Sequence, residues 1–248
     1  MQNSGRTMKF VVFSLTTNEL LSLKPEERDF LLTSSFIMND IRFYWSLMSR
    51  SPIDANSEYL RSMQTVRWLW SSRKLASVIY EADLALGAFI ARLPVAKLAS
   101  DVSPRISKVN NKSPFKKLAE TIRNKAAYHY DTEVLAAKLS EFSPDQNHRL
   151  FAHDQRGNSI SELGEQIYTL QLLLNADKSS SAEGFNNWLE ACSGSILNFC
   201  ERVTAKVLDS AFPDKTYQYE SLSTKNEAEN QHHRWPLFLV VPALEATN

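Results

Sequence analysis

Glu58 to Arg92 reads EYLRSMQTVRWLWSSRKLASVIYEADLALGAFIAR, without a proline from end to end. Leu60, Met63, Val66, Trp70, Leu75, Val78, Ile79, Ala82, Leu86, Phe89 and Ile90 lie along it. Most of these are three or four apart, which puts apolar side chains on a helical stripe. Pro94 marks the end, because the residue before a proline is pushed out of the helical region of backbone space. The stretch predicts one long helix.

The chain before it reads the same way. Pro25 suits a first helical turn, and Glu26, Glu27 and Asp29 follow where carboxylates favour the helix dipole. Phe30, Ile37, Ile41, Tyr44, Trp45 and Met48 then make one apolar face, predicting a helix over 25–49. Ser51 to Ser57 is loop by composition. Two long helices joined by so short a loop pack as an antiparallel hairpin.

Downstream, residues 99–113 are polar. Ser113 offers an N-cap and Pro114 a first helical position, with Phe115, Leu118, Ile122, Ala126 and His129 following at helical spacing. Asp131-Thr132-Glu133 reads as a break before a short helix through about Leu139. Leu150 to His153 and Asn158 to Ile160 flank Asp154-Gln155-Arg156-Gly157 as a small β-hairpin. Helices return at 161–175 and 182–211, separated by Asp177 to Ser181. Gly194 lies within the last helix, where its missing side chain suggests a close helix contact. Residues 213–233 read as a loose polar tail. The apolar ends, Phe10 to Phe13 and Trp235 to Val241, are expected to pair as strands. The fold class expected is all-α: an up-and-down antiparallel bundle of about five main helices, with a small β-hairpin and an irregular C-terminal tail. It is expected to be one domain over 1–248, with its core at about 20–211.

Composition agrees. Hydrophobic residues make up 43% and charged residues 23% of 248, enough for a sizeable core, and only six glycines occur. Net charge is zero but unevenly spread. Residues 92–125 hold nine basic residues against two acidic, from Arg92 to Lys125. Such a stretch can steer a phosphate backbone, or serve only as a solvated loop. A pI of about 7.0 argues against a dedicated DNA binder. Cys192 and Cys200 are two helical turns, roughly 12 Å, apart, too far for a bridge along one helix. They read as buried thiols in a reducing cytoplasm. No apolar run approaches the ~20 residues a membrane span needs, so no membrane association is expected.

The chemistry-bearing motifs are few. His129, His148, His153, His232 and His233 form neither HxxxH nor a Cys/His finger, so no metal is expected. There is no GxSxG, and no serine–lysine nucleophile pair of the SxxK kind is expected. There is no glycine-rich phosphate loop, so no nucleotide cofactor is expected either.

What remains is Arg123-Asn124-Lys125-Ala126-Ala127-Tyr128-His129-Tyr130-Asp131. An arginine, a polar residue and a histidine after five intervening positions, late in a helix that follows two long antiparallel ones, resembles the signature of the HEPN superfamily. The resemblance implies an up-and-down helical bundle and a metal-independent endoribonuclease of the toxin–antitoxin, abortive-infection or other antiviral type. It further implies that His129 moves a proton, Arg123 stabilises phosphoryl charge, and Asn124 orients the histidine or the phosphate. The residue types suit those roles: imidazole titrates near neutrality, and guanidinium offers phosphate a permanently charged fork. Lys116, Lys117, Lys125, Tyr128 and Asp131 are candidate RNA contacts. Some HEPN toxins carry a modifiable tyrosine two residues after the histidine. Asp131 stands there instead.

On a straight helix, Arg123 and His129 lie roughly 9 Å apart along the axis and about 120° apart around it. One helix does not bring them together, so the active cleft is expected between two copies, as HEPN nucleases are typically dimers. RNA, a second copy and an antitoxin or defence-system protein are the expected partners. The competing expectation is a non-catalytic HEPN-like module that binds a protein or nucleotide, with Trp68, Trp188 and Trp235 as candidate contacts.

Overall fold

The computed structural model describes residues 7–48, 57–98, 115–124, 139–140, 142–145, 148–151, 160–161, 163–166, 182–215 and 218–223. These are predominantly helical. The chain divides into two compact units, 25–207 and the two ends together, 1–24 with 208–248.

The larger unit begins with α2, Pro25–Met48, and α3, Glu58–Arg92. (The short α1, Thr17–Ser22, precedes them and belongs to the other unit.) Ser57 caps α3, its hydroxyl accepting from the Leu60 amide. Both helices lie where the periodicity placed them. They run antiparallel: Phe30 near the start of α2 meets Phe89 near the end of α3, ring edge to face at 5.5 Å, and Tyr44 meets Trp70 at 5.6 Å. Pro94 ends α3 as expected, but a further short helix, α4, Pro94–Leu98, begins on it.

α5 spans Phe115–Ile122, where Phe115, Leu118, Ala119 and Ile122 are buried at i, i+3, i+4 and i+7. β2, Leu150–Phe151, pairs antiparallel with β3, Ile160–Ser161, so the expected hairpin is present. α6, Leu163–Glu165, follows within the expected 161–175 helix. α7, Ala182–Ala211, matches its predicted bounds. It buries Phe185, Trp188, Leu189, Cys192, Ile196, Phe199, Cys200 and Val203. Phe115 packs on Phe185 and Trp188, and Phe199 on Phe30, so α7 closes the core over α5 and α2.

The centre of α3 is buried on every side, from Ser71 through Ile79 except Lys74. Ser71, Ser72, Ala76 and Ser77 alternate there with larger buried side chains such as Leu75 and Ile79, and the small ones let neighbouring helices approach closely. Gly194 does not make the expected close contact. It is exposed, and a Cβ there would meet nothing within 4 Å.

In the smaller unit β1, Thr7–Val12, pairs antiparallel with β4, Gln218–Ser223, Thr7 opposite Ser223 and Val12 opposite Gln218. The N-terminal strand was expected, but its partner here comes from residues assigned to a loose tail. Trp235 to Val241 lies outside the described residues. Tyr219 and Leu222 are three residues apart, so the segment shows no period-two alternation to mark it as a strand. α1, Thr17–Ser22, was not expected. A capping box starts it: Thr16 accepts from the Glu19 amide, and Glu19 accepts from the Thr16 amide at 2.7 Å.

Candidate functional site

The amphipathic pattern of α5 decides where its polar residues fall. With Phe115, Leu118, Ala119 and Ile122 turned into the core, Lys116, Glu120 and Arg123 lie along α3. Two polar contacts follow the seam. Lys116 Nζ stands 4.0 Å from Asp83. Arg123 donates through Nε to the Glu81 carboxylate. Arg123 Nη1 also donates to Asn124 Oδ1 at 2.9 Å.

Arg123 and Asn124 are the two predicted catalytic residues within the described part of the chain, and they touch. Both continue the helix past Ile122 in a wider, π-type turn. The path from Asn124 to His129, for which a straight helix was expected, lies outside the described residues. The Arg123 side chain is 44% exposed, as is Glu81. Two donor nitrogens of the guanidinium are engaged, and Nη2 keeps its protons for a further acceptor.

Charge along the seam is mixed. Lys116 and Arg123 are set against Asp83, Glu81 and Glu120, so this part is no basic patch. Tyr80 registers the same balance: desolvation first, then the Glu120 charge, hold its hydroxyl above the ordinary value, while Arg123 opposes. Lys117 is exposed beside it. Lys125, Tyr128, His129 and Asp131 lie outside the described residues.

The aromatic contact candidates divide. Trp188 is 5% exposed and stacked on Phe185, so it is core and not a contact surface. Trp68 is half-buried against the core. Trp235 lies outside the described residues.

A second polar cluster was passed over in the sequence, although its spacing was visible. Ser71-Ser72-Arg73-Lys74 places a lysine three residues after a serine, the spacing of serine–lysine nucleophile pairs. The pair is not assembled. Ser71 is sealed from solvent, and its hydroxyl has no hydrogen-bond partner, so the Lys74 ammonium is not within reach of it. Lys74 is held below the usual lysine range, by desolvation first and by Arg73 beside it. Arg73 itself binds Glu165 of α6 at 2.5 Å, with both side chains largely buried. That pair ties α6 to the middle of α3. His148 is similarly structural: Nδ1 lies 3.3 Å from Gln166 Oε1, and the ring stands edge-on to Phe142 at 5.0 Å.

Cys192 and Cys200 are buried free thiols, as expected. Burial pushes each up to about 12, Asp83 adding for the first and Glu201 for the second. Neither is a nucleophile at neutral pH. Among the described residues no three His, Cys, Asp or Glu side chains gather as a metal site, and no helix is long and apolar enough to cross a membrane.

No family model matches the chain, and no similar protein is found among curated proteins or solved structures.

Proposed function

We propose that this chain is a metal-independent endoribonuclease of the toxin or phage-defence type, a HEPN-like protein acting as a homodimer in the cytoplasm. The observation that carries the reading is the Arg123–Asn124 pair. A half-exposed guanidinium, joined to the polar residue beside it, follows directly on a helix that runs along a long helical hairpin.

The reaction follows from the groups. The RNA 2′-hydroxyl attacks the adjacent phosphorus, and the bond to the 5′ oxygen breaks. The products are a 2′,3′-cyclic phosphate and a 5′-hydroxyl. One imidazole takes the proton from the 2′-hydroxyl, and an imidazolium returns one to the leaving oxygen. In a dimer, the two copies of His129 can divide those roles. Arg123 stabilises the added negative charge on the phosphoryl oxygens through Nη2. Glu81 competes with the phosphate for the same guanidinium, so RNA has to share or displace it. Lys116, Lys117, Lys125, Tyr128 and Asp131 complete the proposed contact surface.

The test compares wild type with His129→Ala and Arg123→Ala on total RNA in chelator, together with growth arrest on expression. Cleavage by wild type and a loss of about a hundredfold or more in each variant is expected. Equal behaviour of all three sinks the reading, as does a monomer in light scattering at micromolar concentration. The ion pair between Arg123 and Glu81 favours one alternative, a non-catalytic module in which the guanidinium fastens α5 to α3. On that reading Arg123→Ala changes stability by up to about 1 kcal/mol, as exposed pairs do, and wild type leaves RNA intact.

A further inference from the structure

α2 buries Phe30, Ser34 and Ile41, yet its opposite side is not polar. Leu32 is 48% exposed, Phe36 72% and Phe43 43%. These three lie at i, i+4 and i+11, within about 40° of one another around the helix. They form a second apolar stripe some three turns long, without a covering element among the described residues. Its flanks differ. On one lie Asp29 and Asp40. On the other lie Arg28, Ser35, Asn39 and Ser46.

Asp40 supplies the chemical clue. It sits one turn after Phe36 and three residues before Phe43. Among the described residues it has no cation or hydrogen-bond partner, and the surrounding side chains desolvate its carboxyl, raising it above the ordinary value. Asp29 has only Arg28, at 3.9 Å. The stripe therefore asks for apolar surface and positive charge together.

We propose that the Leu32–Phe36–Phe43 face of α2 docks an amphipathic helix of another protein, whose apolar stripe covers these three side chains and whose lysines or arginines meet Asp40 and Asp29. Anchors at one-turn multiples are how helices recognise one another. A second copy of this chain does not fit the charges. In an antiparallel two-fold pair, equivalent flanks meet, so Asp29 and Asp40 face only carboxylates. In a parallel pair, Asp29 of one copy meets Arg28 of the other, but Asp40 faces Asn39 and Ser35 and stays without a cation. The cation at that level, Arg42, is held by Glu201 at 2.6 Å. RNA and anionic lipid are disfavoured by the same carboxylates. The inference is independent of the ribonuclease reading.

The experiment titrates the full chain against two labelled synthetic helices of about five turns, each with leucine at i, i+3, i+4 and i+7. One carries lysine along its flank, the other glutamate. The lysine peptide is expected to bind at least about tenfold more tightly at low salt. Phe36→Ser abolishes binding, while Asp40→Lys reverses the preference. Phe36 is exposed, so unchanged helicity and thermal unfolding show that the variant is folded. Equal binding of both peptides, or binding that survives Phe36→Ser, overturns the proposal. So does a wild-type dimer that Phe36→Ser dissociates, because a second copy would then own the face. Binding to phosphatidylserine vesicles that Phe36→Ser removes overturns it in favour of a membrane.

Discussion

Single residues in this protein owe their chemistry to what surrounds them. Cys192 and Cys200 are the clearest case. Each has an ordinary value near 9.0 and is held at about 12 by burial. The folded state thus keeps protons that the unfolded state gives up above pH 9. Stability is therefore full below pH 9 and falls as pH rises from 9 towards 12, on the order of 1 kcal/mol per pH unit per thiol. Urea unfolding at a series of alkaline pH values should show that fall, and Cys192→Ala should flatten it. Labelling by a thiol reagent should track global unfolding, not run ahead of it. Glu19 shows the opposite direction. The Lys215 ammonium at 2.6 Å and the Thr16 amide and hydroxyl hold its carboxyl at about 2. That contact keeps its charge in acid that protonates ordinary carboxylates.

At the scale of elements, α3 is the unusual one. Most buried helices present large apolar side chains, whereas α3 places Ser62, Ser71, Ser72 and Ser77 in the interior. Ser72 bonds back to the Leu69 carbonyl at 3.0 Å, but the hydroxyls of Ser62, Ser71 and Ser77 have no partner. A buried hydroxyl without a partner costs roughly 1–3 kcal/mol. Ser77→Ala should therefore stabilise the protein by about 1 kcal/mol, read as a higher urea midpoint at unchanged slope. A loss of stability would mean that the hydroxyl is bonded in solution. The sequence showed these serines but not their burial. Its apolar stripe marked one face of α3, and the enclosure of the remaining faces depends on α2, α5 and α6 arriving from other directions. Glu81, the partner of Arg123, was hidden for the same reason: forty-two positions separate the two.

At the scale of the whole molecule, polar contacts hold together segments far apart in the chain. Arg73 and Glu165 are ninety-two residues apart and largely buried. Removing one partner of such a pair leaves a charge in the interior, at a cost of about 3–5 kcal/mol. Glu165→Ala should lower the thermal midpoint markedly, and Arg73→Met with Glu165→Leu should recover much of the loss. A single-variant effect below about 1 kcal/mol would show that the pair is solvated. In the terminal unit, Lys215 Nζ lies over the neighbouring rings of Phe13 and Phe212, 5.4 and 5.7 Å from their centroids, and meets Glu19. That clasp joins the chain ends beside the β1–β4 ladder.

Local patterns carried the helices. Periodicity, Pro25, Pro94 and the turn-rich breaks placed α2, α3, α5 and α7, because those signals act within a few residues. The same local signals also located the β2–β3 hairpin and the first strand. The sequence by itself also paired Arg123 with Asn124, as neighbours in one motif. Only the tertiary structure decided that β4 and not the last apolar segment meets β1, since strand pairing is a contact between distant residues. It alone sealed Ser71 away from Lys74, set Glu81 on Arg123, and left Leu32, Phe36 and Phe43 uncovered. Burial and charge partnership belong to the assembled helices, and no short window of sequence contains them.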